Sequence, residues 1–257
     1  LTGIEAMGEI SICGNAKVNC TASGFISIYG RGNSIEISED AQINVTGIGG
    51  IQAEKGDICI SGNAVVDSTG AEQNVNGSVY KFNAIWAPAG KIKISENAQV
   101  FGNSGYAAIC AYNGVNITGG TVSAAASDDA AIWSNRDVEI SGSGIIVNTF
   151  IKDENEEIVY SFHGIGAANS VIIDGSTINA GTIDGLSIWS NSKEGKTVIS
   201  NSVVNAYAGE SKIYSAINCV GNLEVKNSWV RADGVSATAP SITDSVFIDE
   251  NTGSVSG

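Results

Sequence analysis

Proline, methionine, histidine and charge are all scarce in this chain. Its 257 residues include 2 prolines, 1 methionine and 1 histidine, and only 16% of them are charged. So low a charge excludes a disordered acidic tail, and no apolar run approaches the ~20 residues that a membrane helix needs. We therefore expect an ordered chain with no membrane insertion.

Basic residues are the scarcer of the charged types. Lys and Arg number 13 against 27 Asp and Glu, which gives a formal net charge of −14. Phosphate binding requires a basic face, so this surface is expected to repel nucleic acid. Polyanionic glycans are poor ligands for the same reason, unless a cation bridges them.

Cysteine is sparse, and its spacing shows no pairing. The five cysteines include no CxxC pair, and an odd number cannot be fully paired within one chain. This pattern argues against a disulfide framework and against a zinc site. We expect buried or half-buried free thiols. The five are Cys13, Cys20, Cys59, Cys110 and Cys219.

Ile, Val, Thr, Asn, Ser and Gly are abundant, and they recur in one repeating unit. These residue types are typical of strands and turns. Three copies of the unit read GIQAEKGDICISGNAVV, AIWAPAGKIKISENAQV and AIWSNRDVEISGSGIIV. Each copy contains three short segments of alternating pattern, divided by tight turns. The first segment, Ile-x-small, begins at Ile4, Ile28, Ile51, Ile85, Ile109, Ile132, Ile165, Ile188 and Ile217.

Short strands of this kind cannot bury an apolar face alone, but stacked units place like residues in columns that enclose a continuous core. Three strands in each repeat of about 23 residues predict an all-β fold, a single-stranded right-handed parallel β-helix of about nine coils. A β-propeller is the main rival, but its blades need four strands and about 40 residues. The repeat extends over residues 1–233, and residues 234–257 are expected to form a C-terminal cap or tail.

The turn between the second and third segments carries residue types that tolerate a positive φ. They are Asn15, Asp40, Asn63, Asn97 and then Gly120. We expect this corner to turn through the left-handed region and to stack its side-chain amides into a ladder. In the sixth coil the third segment is predicted to point Gly144 and Ile146 inward.

Two inserts interrupt the repeat, near residues 69–82 and 149–162. They end alike, as VYKFN and VYSFH, and the first contains Asn76-Gly77, a signal for a two-residue hairpin turn. Insertions in a solenoid map to one face, and that face often binds ligands. We predict two hairpins on one edge of the solenoid that flank the sheet of first segments as low walls.

The middle residue of each first segment is predicted to face solvent, because the residues on either side of it point inward. In coil order this column reads Glu5, Tyr29, Gln52, Trp86, Cys110, Trp133, Gly166, Trp189 and Asn218. Its aromatic members alternate with smaller or polar residues, so consecutive rings are expected ~9.6 Å apart, close to the length of a β-1,4-linked disaccharide. Exposed rings in a row are typical of a contact surface, and sugar rings stack on indoles.

We therefore predict a platform for a polysaccharide or other glycan. Its four rings are those of Tyr29, Trp86, Trp133 and Trp189. Hydrogen bonds to sugar hydroxyls are expected from Gln52, Tyr112, Asn135 and Asn191. Two alternatives stay open, namely aromatic packing that only stabilises the sheet and a surface for protein–protein or oligomer contact.

The repeat phrase G-I-x-I-S-G-N-A-x-V resembles the β-helix repeats of large secreted and cell-surface proteins of Gram-positive anaerobes, many of them described as carbohydrate-binding. The resemblance runs from Leu1 to about Asp233. It implies a non-catalytic carbohydrate-binding module, extracellular or at the cell surface. We expect no cofactor, and we expect flanking domains in a longer chain because the sequence begins within a coil, at Leu1-Thr2-Gly3-Ile4. A structural stalk or adhesin segment is the first alternative.

A polysaccharide lyase or glycoside hydrolase is the second alternative. The chain resembles polygalacturonase-type hydrolases in its fold, but it has no Gly-His-Gly and no Arg-x-Lys. Asp129 and Asp184 are the carboxylates that could carry out glycoside chemistry. The lone histidine, His163, is expected to be a surface residue at the base of a hairpin. Calcium near Asp128, Asp129 or the second hairpin also stays open.

Overall fold

A computed structural model of the chain describes residues 2–75, 78–152, 158–209 and 214–256. The strands assigned there number 31, and 27 of them belong to one sheet. None of the described residues lies in a helix, so these ranges contain no helix that could cross a membrane.

In the first half of the chain the strands are β1 (Ile4–Ala6), β2 (Ile10–Ile12), β3 (Lys17–Gly30), β4 (Ile35–Ile37), β5 (Gln42–Ala53), β6 (Ile58–Ile60), β7 (Val65–Gly70), β8 (Glu72–Val75), β9 (Ser78–Lys81), β10 (Ile85–Ala87), β11 (Ile92–Ile94), β12 (Gln99–Ser104), β13 (Ile109–Ala111), β14 (Val115–Ile117) and β15 (Thr121–Ala126). In the second half they are β16 (Ala130–Ser134), β17 (Val138–Ser141), β18 (Ile146–Asn148), β19 (Phe150–Lys152), β20 (Ile158–Tyr160), β21 (His163–Ala167), β22 (Val171–Asp174), β23 (Thr177–Gly181), β24 (Ile188–Ser190), β25 (Lys196–Ser200), β26 (Val203–Tyr207), β27 (Ile217–Lys226), β28 (Trp229–Ala232), β29 (Val235–Thr243), β30 (Val246–Asp249) and β31 (Ser254–Ser256).

Each coil contributes one strand segment to each of three faces, which we number 1 to 3 in chain order. On face 1, Ile85 of β10 pairs with Ile51 of the coil before and with Ile109 of the coil after. Face 2 and face 3 are built in the same way from the second and third segments, all in parallel register. The chain is a parallel β-helix, as the repeat predicts.

The core consists of the inward-pointing columns of the three faces. The isoleucines that lead face 1 are almost fully buried from Ile28 to Ile217, and those of face 2 are buried from Ile35 onward. Because a strand points alternate side chains to opposite sides, the apolar residues of every coil meet inside the solenoid. A single apolar cluster extends along the solenoid from Ile10 to Phe247.

Within the segment expected to form a C-terminal cap or tail, residues 235–249 continue the solenoid, so the described residues form a tenth coil beyond the about nine predicted. On face 1, Val235 pairs with Ile217, and on face 3, Phe247 pairs with Val230. β31 then turns back antiparallel to β30. Val235-Ser236-Ala237 satisfies the apolar-x-small pattern with Val in place of Ile, which is why the register is less visible in the sequence.

The sixth coil departs from the predicted register on face 3. Val147, not Ile146, pairs with the buried Val122, and Ile146 is 40% exposed. Gly142 and Gly144 both have positive φ, so the corner before this strand takes a longer path. A shift of one residue exchanges the inward and outward sides of a strand, so the prediction for Ile146 is wrong.

The amide ladder predicted at the second corner is present. The Asn63 side-chain amide donates to Asp40 at 2.9 Å, and the Asn97 amide donates to Asn63 at 3.1 Å. In these coils the positive φ belongs to the preceding residue, for example Gly62 at 71° and Glu96 at 61°. The chain bends at the residue with positive φ, and the side-chain amide of the next residue hydrogen-bonds to the same corner of the adjacent coil.

The two inserts form antiparallel hairpins. β8 pairs with β9, and β19 pairs with β20. Each hairpin lies between a strand of face 3 and the next strand of face 1, so both leave the solenoid at its third corner. The Lys81 ammonium at the base of the first hairpin contacts Glu72 at 2.8 Å and Asp128 at 2.7 Å. The predicted Asn76-Gly77 turn and the tip at 153–157 lie outside the described residues.

A candidate ligand site on face 1

The predicted column on face 1 forms in the expected register. Trp86 lies between Gln52 and Cys110, and Cys110 lies between Trp86 and Trp133. Further along, Gly166 separates Trp133 from Trp189. The column is therefore real, but its four rings differ in how much of their surface they present to solvent.

Tyr29 is only 8% exposed, because three neighbours cover it. Phe25 packs edge-on at 5.6 Å between ring centroids, and the Arg31 guanidinium lies 5.3 Å from the ring centroid. The Tyr29 hydroxyl donates to Glu54 at 2.8 Å. Burial and this hydrogen bond both raise the pKa of Tyr29. The ring is held in place by these contacts and offers no open face, contrary to the expectation for an exposed platform.

Trp133 and Trp189 stack on each other instead of standing two rungs apart. Their ring centroids are 5.4 Å apart with planes inclined by 25°, whereas the sequence predicts a separation of ~9.6 Å. Gly166 makes this stacking feasible, because a Cβ at this position would lie 2.2 Å from Trp189 Cζ2. The Trp189 indole leans over the glycine, and Trp189 is only 5% exposed.

His163 extends this stack toward the second hairpin. Its ring lies 5.0 Å from the Trp189 ring and 4.6 Å from the Phe162 ring. The Leu186 backbone N–H donates to His163 Nδ1 at 3.0 Å. Burial lowers the pKa of His163, and the nearby Asp129 carboxylate opposes that shift. A neutral imidazole with Nδ1 already occupied fits a packing role at the hairpin base.

Accessible aromatic surface gathers around the fifth coil. Trp86 and Trp133 are half-buried and lie on either side of Cys110, while Tyr106 and Tyr112 of the same coil are 45% and 50% exposed. We call these five residues the coil-five site. The Cys110 side chain occupies the rung between Trp86 and Trp133. The corresponding rung between Trp133 and Trp189 holds Gly166, which has no side chain.

Asp129 supplies the negative charge beside the coil-five site. Its charge, followed by burial, raises the pKa of Tyr106, whose hydroxyl donates a hydrogen bond to the carboxylate. Burial, followed by the charge of Asp129, raises the pKa of the Cys110 thiol to about 12. The thiol therefore stays protonated at neutral pH and is a poor nucleophile.

The residues predicted to hydrogen-bond to a sugar lie at different numbers of coils from the coil-five site. The Trp133 indole N–H donates to Asn135 Oδ1 at 2.8 Å, which leaves the Asn135 amide N–H groups to face solvent. Gln52 borders Trp86 on the third coil and is half-buried. Asn191 is exposed on the eighth coil, beyond the buried Trp189, and so lies away from the coil-five site.

Acidic side chains do not assemble into a metal site in the part of the chain that the structure describes. No group of three or more His, Cys, Asp or Glu residues there could hold a metal ion. Asp128, one of the residues considered for calcium, is paired with Lys81. All five cysteines are free thiols, and they range from the exposed Cys13 to the buried Cys219.

Replacing Gly166 with Ala is expected to separate the two stacked indoles. The new methyl group would overlap the Trp189 ring, so the ring must leave Trp133, at a cost of about 1–3 kcal/mol in the free energy of unfolding. Near-UV circular dichroism should lose the signal of the coupled indoles, and acrylamide should quench tryptophan fluorescence more strongly. Gly8→Ala, where the added Cβ meets nothing within 4 Å, is the control. An unchanged near-UV spectrum in Gly166→Ala would show that the rings do not stack.

Sequence reasoning missed Tyr106 as a member of the site. Tyr106 precedes the first segment of its coil, so it belongs to no column of the repeat. Its approach to Cys110 depends on the path of the third corner. The glycine at position 166 was visible in the sequence, and a missing side chain between two tryptophans is the signal from which their stacking could have been inferred.

The chain was compared with protein-family models, with curated proteins and with solved structures. None of these comparisons finds a match.

Proposed function

We propose that this chain is a non-catalytic carbohydrate-binding β-helix module and that the coil-five site on face 1 is its binding site. The observation that carries the proposal is the grouping of four accessible aromatic residues, Trp86, Tyr106, Tyr112 and Trp133, around one coil. Sugar rings present C–H faces to aromatic rings, and tyrosine hydroxyls add hydrogen bonds at the same positions. This site is shorter than the four-ring platform that the sequence predicts.

The size and charge of the site favour a short stretch of neutral glycan. The backbones of Trp86 and Trp133 lie two rungs apart, about 9.6 Å along the solenoid, which is close to the length of one β-linked disaccharide, and Cys110 occupies the rung between them. Among the described residues, Asp129 is the carboxylate that raises the pKa values of Tyr106 and Cys110, and it already accepts a hydrogen bond from Tyr106. We therefore expect the ligand to be an uncharged polysaccharide, such as those found outside cells or on cell surfaces.

The proposal is tested with soluble β-glucans, xylans and mannans by calorimetry or affinity electrophoresis. Trp86→Ala and Trp133→Ala should each weaken binding by about 1 kcal/mol, or roughly fivefold in Kd, and the double variant should lose both contributions. Binding should change little with salt, because no charge pair is involved. Trp229→Ala, which removes an exposed tryptophan on face 3, should bind as wild type does. Absence of binding, or tryptophan variants that bind normally, would reject the site.

A structural stalk is the second candidate. The burial of Tyr29 and Trp189 favours it, because those two rings pack against neighbouring rings and leave little surface for a ligand. If no glycan binds, sheet packing accounts for the aromatic column, and the stalk becomes the preferred function. Catalysis of glycan cleavage remains the alternative that product analysis on a bound polymer would detect.

A further inference from the structure

Face 3 carries a groove that lies away from the coil-five site. Its volume is 550 Å³, and it extends over coils three to six. The residues that matter for its chemistry are Asp67, Phe101, Asn103, Ser123, Asn148 and Phe150. Nothing in the repeat pattern predicts this groove, because its position depends on one large side chain, Phe101, between the smaller polar residues Asp67 and Ser123 of the adjacent coils.

Phe101 forms one wall of the groove. In the register of face 3 it lies between Asp67 of the coil before and Ser123 of the coil after, both of which are shorter. Its ring is 38% exposed. Gly102, the next residue, adds no side chain to the lining, and Phe150, at the start of the second hairpin, is the second aromatic residue that lines the groove.

A series of hydrogen-bonded amides ends at a hydroxyl group that lines this groove. Asn205 donates to Asn179 at 3.1 Å, Asn179 donates to Asn148 at 3.0 Å, and Asn148 donates to Ser123 at 3.3 Å. Each bond in this series runs toward the groove, so the bonds polarise one another. Ser123 Oγ accepts the last of these bonds, and within the described residues its hydroxyl donates to no partner.

Asp67 provides an acceptor at the other end of the groove. Within the described ranges its carboxylate takes part in no hydrogen bond or ion pair, and burial raises its pKa. It also lines an adjoining recess on coils one to three. Among the described residues that line the groove none is basic, and Asp67 is the charged one, so this lining favours an uncharged ligand over an anionic one.

We propose that this groove is a second saccharide-binding site, for a neutral mono- or disaccharide unit. The Phe101 and Phe150 rings contact the C–H faces of the sugar. Asp67 accepts from sugar hydroxyls, Ser123 donates to one, and Asn103 can do either. A purely apolar ligand would leave Asp67 without a partner, and a hydroxyl-rich ligand with apolar faces matches both kinds of lining. The site is independent of the one on face 1.

The test uses ¹⁵N-labelled protein in which Trp86→Ala and Trp133→Ala have removed the coil-five site. Cellobiose, xylobiose and mannobiose are added at millimolar concentrations. At least one should shift the side-chain amide signals of Asn103 and Asn148. Adding Phe101→Ala should weaken that binding about fivefold or more. Adding Asp67→Asn should weaken it comparably, and this variant is expected to fold because Asn44 holds the same position one coil earlier.

Trp229→Ala on the same face is the matched control and should leave the Asn103 and Asn148 shifts unchanged. The proposal fails if none of the three disaccharides moves those signals in wild type. It also fails if Phe101→Ala and Asp67→Asn bind as the parent does, or if the two tryptophan replacements alone abolish the shifts. Because the parent protein already lacks the coil-five site, a failed proposal for face 1 leaves this test intact.

Discussion

Ile109→Asp is expected to unfold the solenoid around the fifth coil. Ile109 is fully buried between Ile85 and Ile132 in the face 1 column. The substitution removes the packing of a large side chain and places a carboxyl where no partner can reach it. We expect a loss of about 5 kcal/mol or more in the free energy of unfolding. The free energy of unfolding of a native domain is only about 5–15 kcal/mol in total, so most of the stability would be lost.

The measurement is urea or thermal unfolding followed by far-UV circular dichroism. Gln99→Asp is the control, because it places the same carboxylate on the exposed side of a neighbouring strand. Its stability should stay within about 0.5 kcal/mol of wild type. A repeat fold depends on contacts between adjacent coils, so the damage from Ile109→Asp should spread to coils four and six. A normal unfolding curve for Ile109→Asp would contradict the register of face 1.

Gly120→Ala is expected to be far more destabilising than Gly144→Ala, although the two glycines have the same φ of 80°. An alanine in this left-handed conformation costs about 1–2 kcal/mol at either position. At Gly120 the added Cβ would also lie 2.0 Å from the backbone oxygen of Ala98, whereas at Gly144 it would meet nothing within 4 Å. Backbone of an adjacent coil cannot move aside as a side chain can. We expect Gly120→Ala to lower the free energy of unfolding by about 2–5 kcal/mol in total.

The pair is measured by chemical denaturation under identical conditions. The difference between the losses of unfolding free energy in the two variants measures the cost of separating adjacent coils, because the cost of the left-handed φ is the same in both. Equal losses at both positions would mean that the stack between coils four and five is looser than the structure shows. The more open environment of Gly144 agrees with the longer corner of the sixth coil, where the sequence-based register was displaced by one residue.

The order of the coils and the identity of the inward columns could be predicted from the sequence. Isoleucine followed two residues later by a small residue recurs along the chain, and such a pattern can be satisfied only if like residues stack. The amide ladder was predicted for a similar reason, since Asp40, Asn63 and Asn97 recur at one corner. The register was harder to predict where another apolar residue replaces isoleucine, as at Val235 in the tenth coil. It was wrong where a corner is longer than in other coils, as before Val147.

The composition of the candidate site was only partly predictable. Membership of the face 1 column follows from strand periodicity, so Trp86 and Trp133 were placed correctly on the outer surface. Periodicity does not determine how far a ring leans along the stack. That depends on the side chain of the next rung, which is a thiol at Cys110 and absent at Gly166.

The sequence by itself thus determined the solenoid, the pairing of its coils and, apart from the third segment of the sixth coil, which residues of the three segments point inward, because these depend on a pattern that repeats. Only the tertiary structure decided which aromatic rings stay accessible, that Tyr106 joins them and that a groove opens beside Phe101. Those features depend on contacts between residues that the repeat does not relate, such as Tyr29 with Glu54 and Trp189 with His163. Their distances are a result of packing in three dimensions, and no periodic signal encodes them.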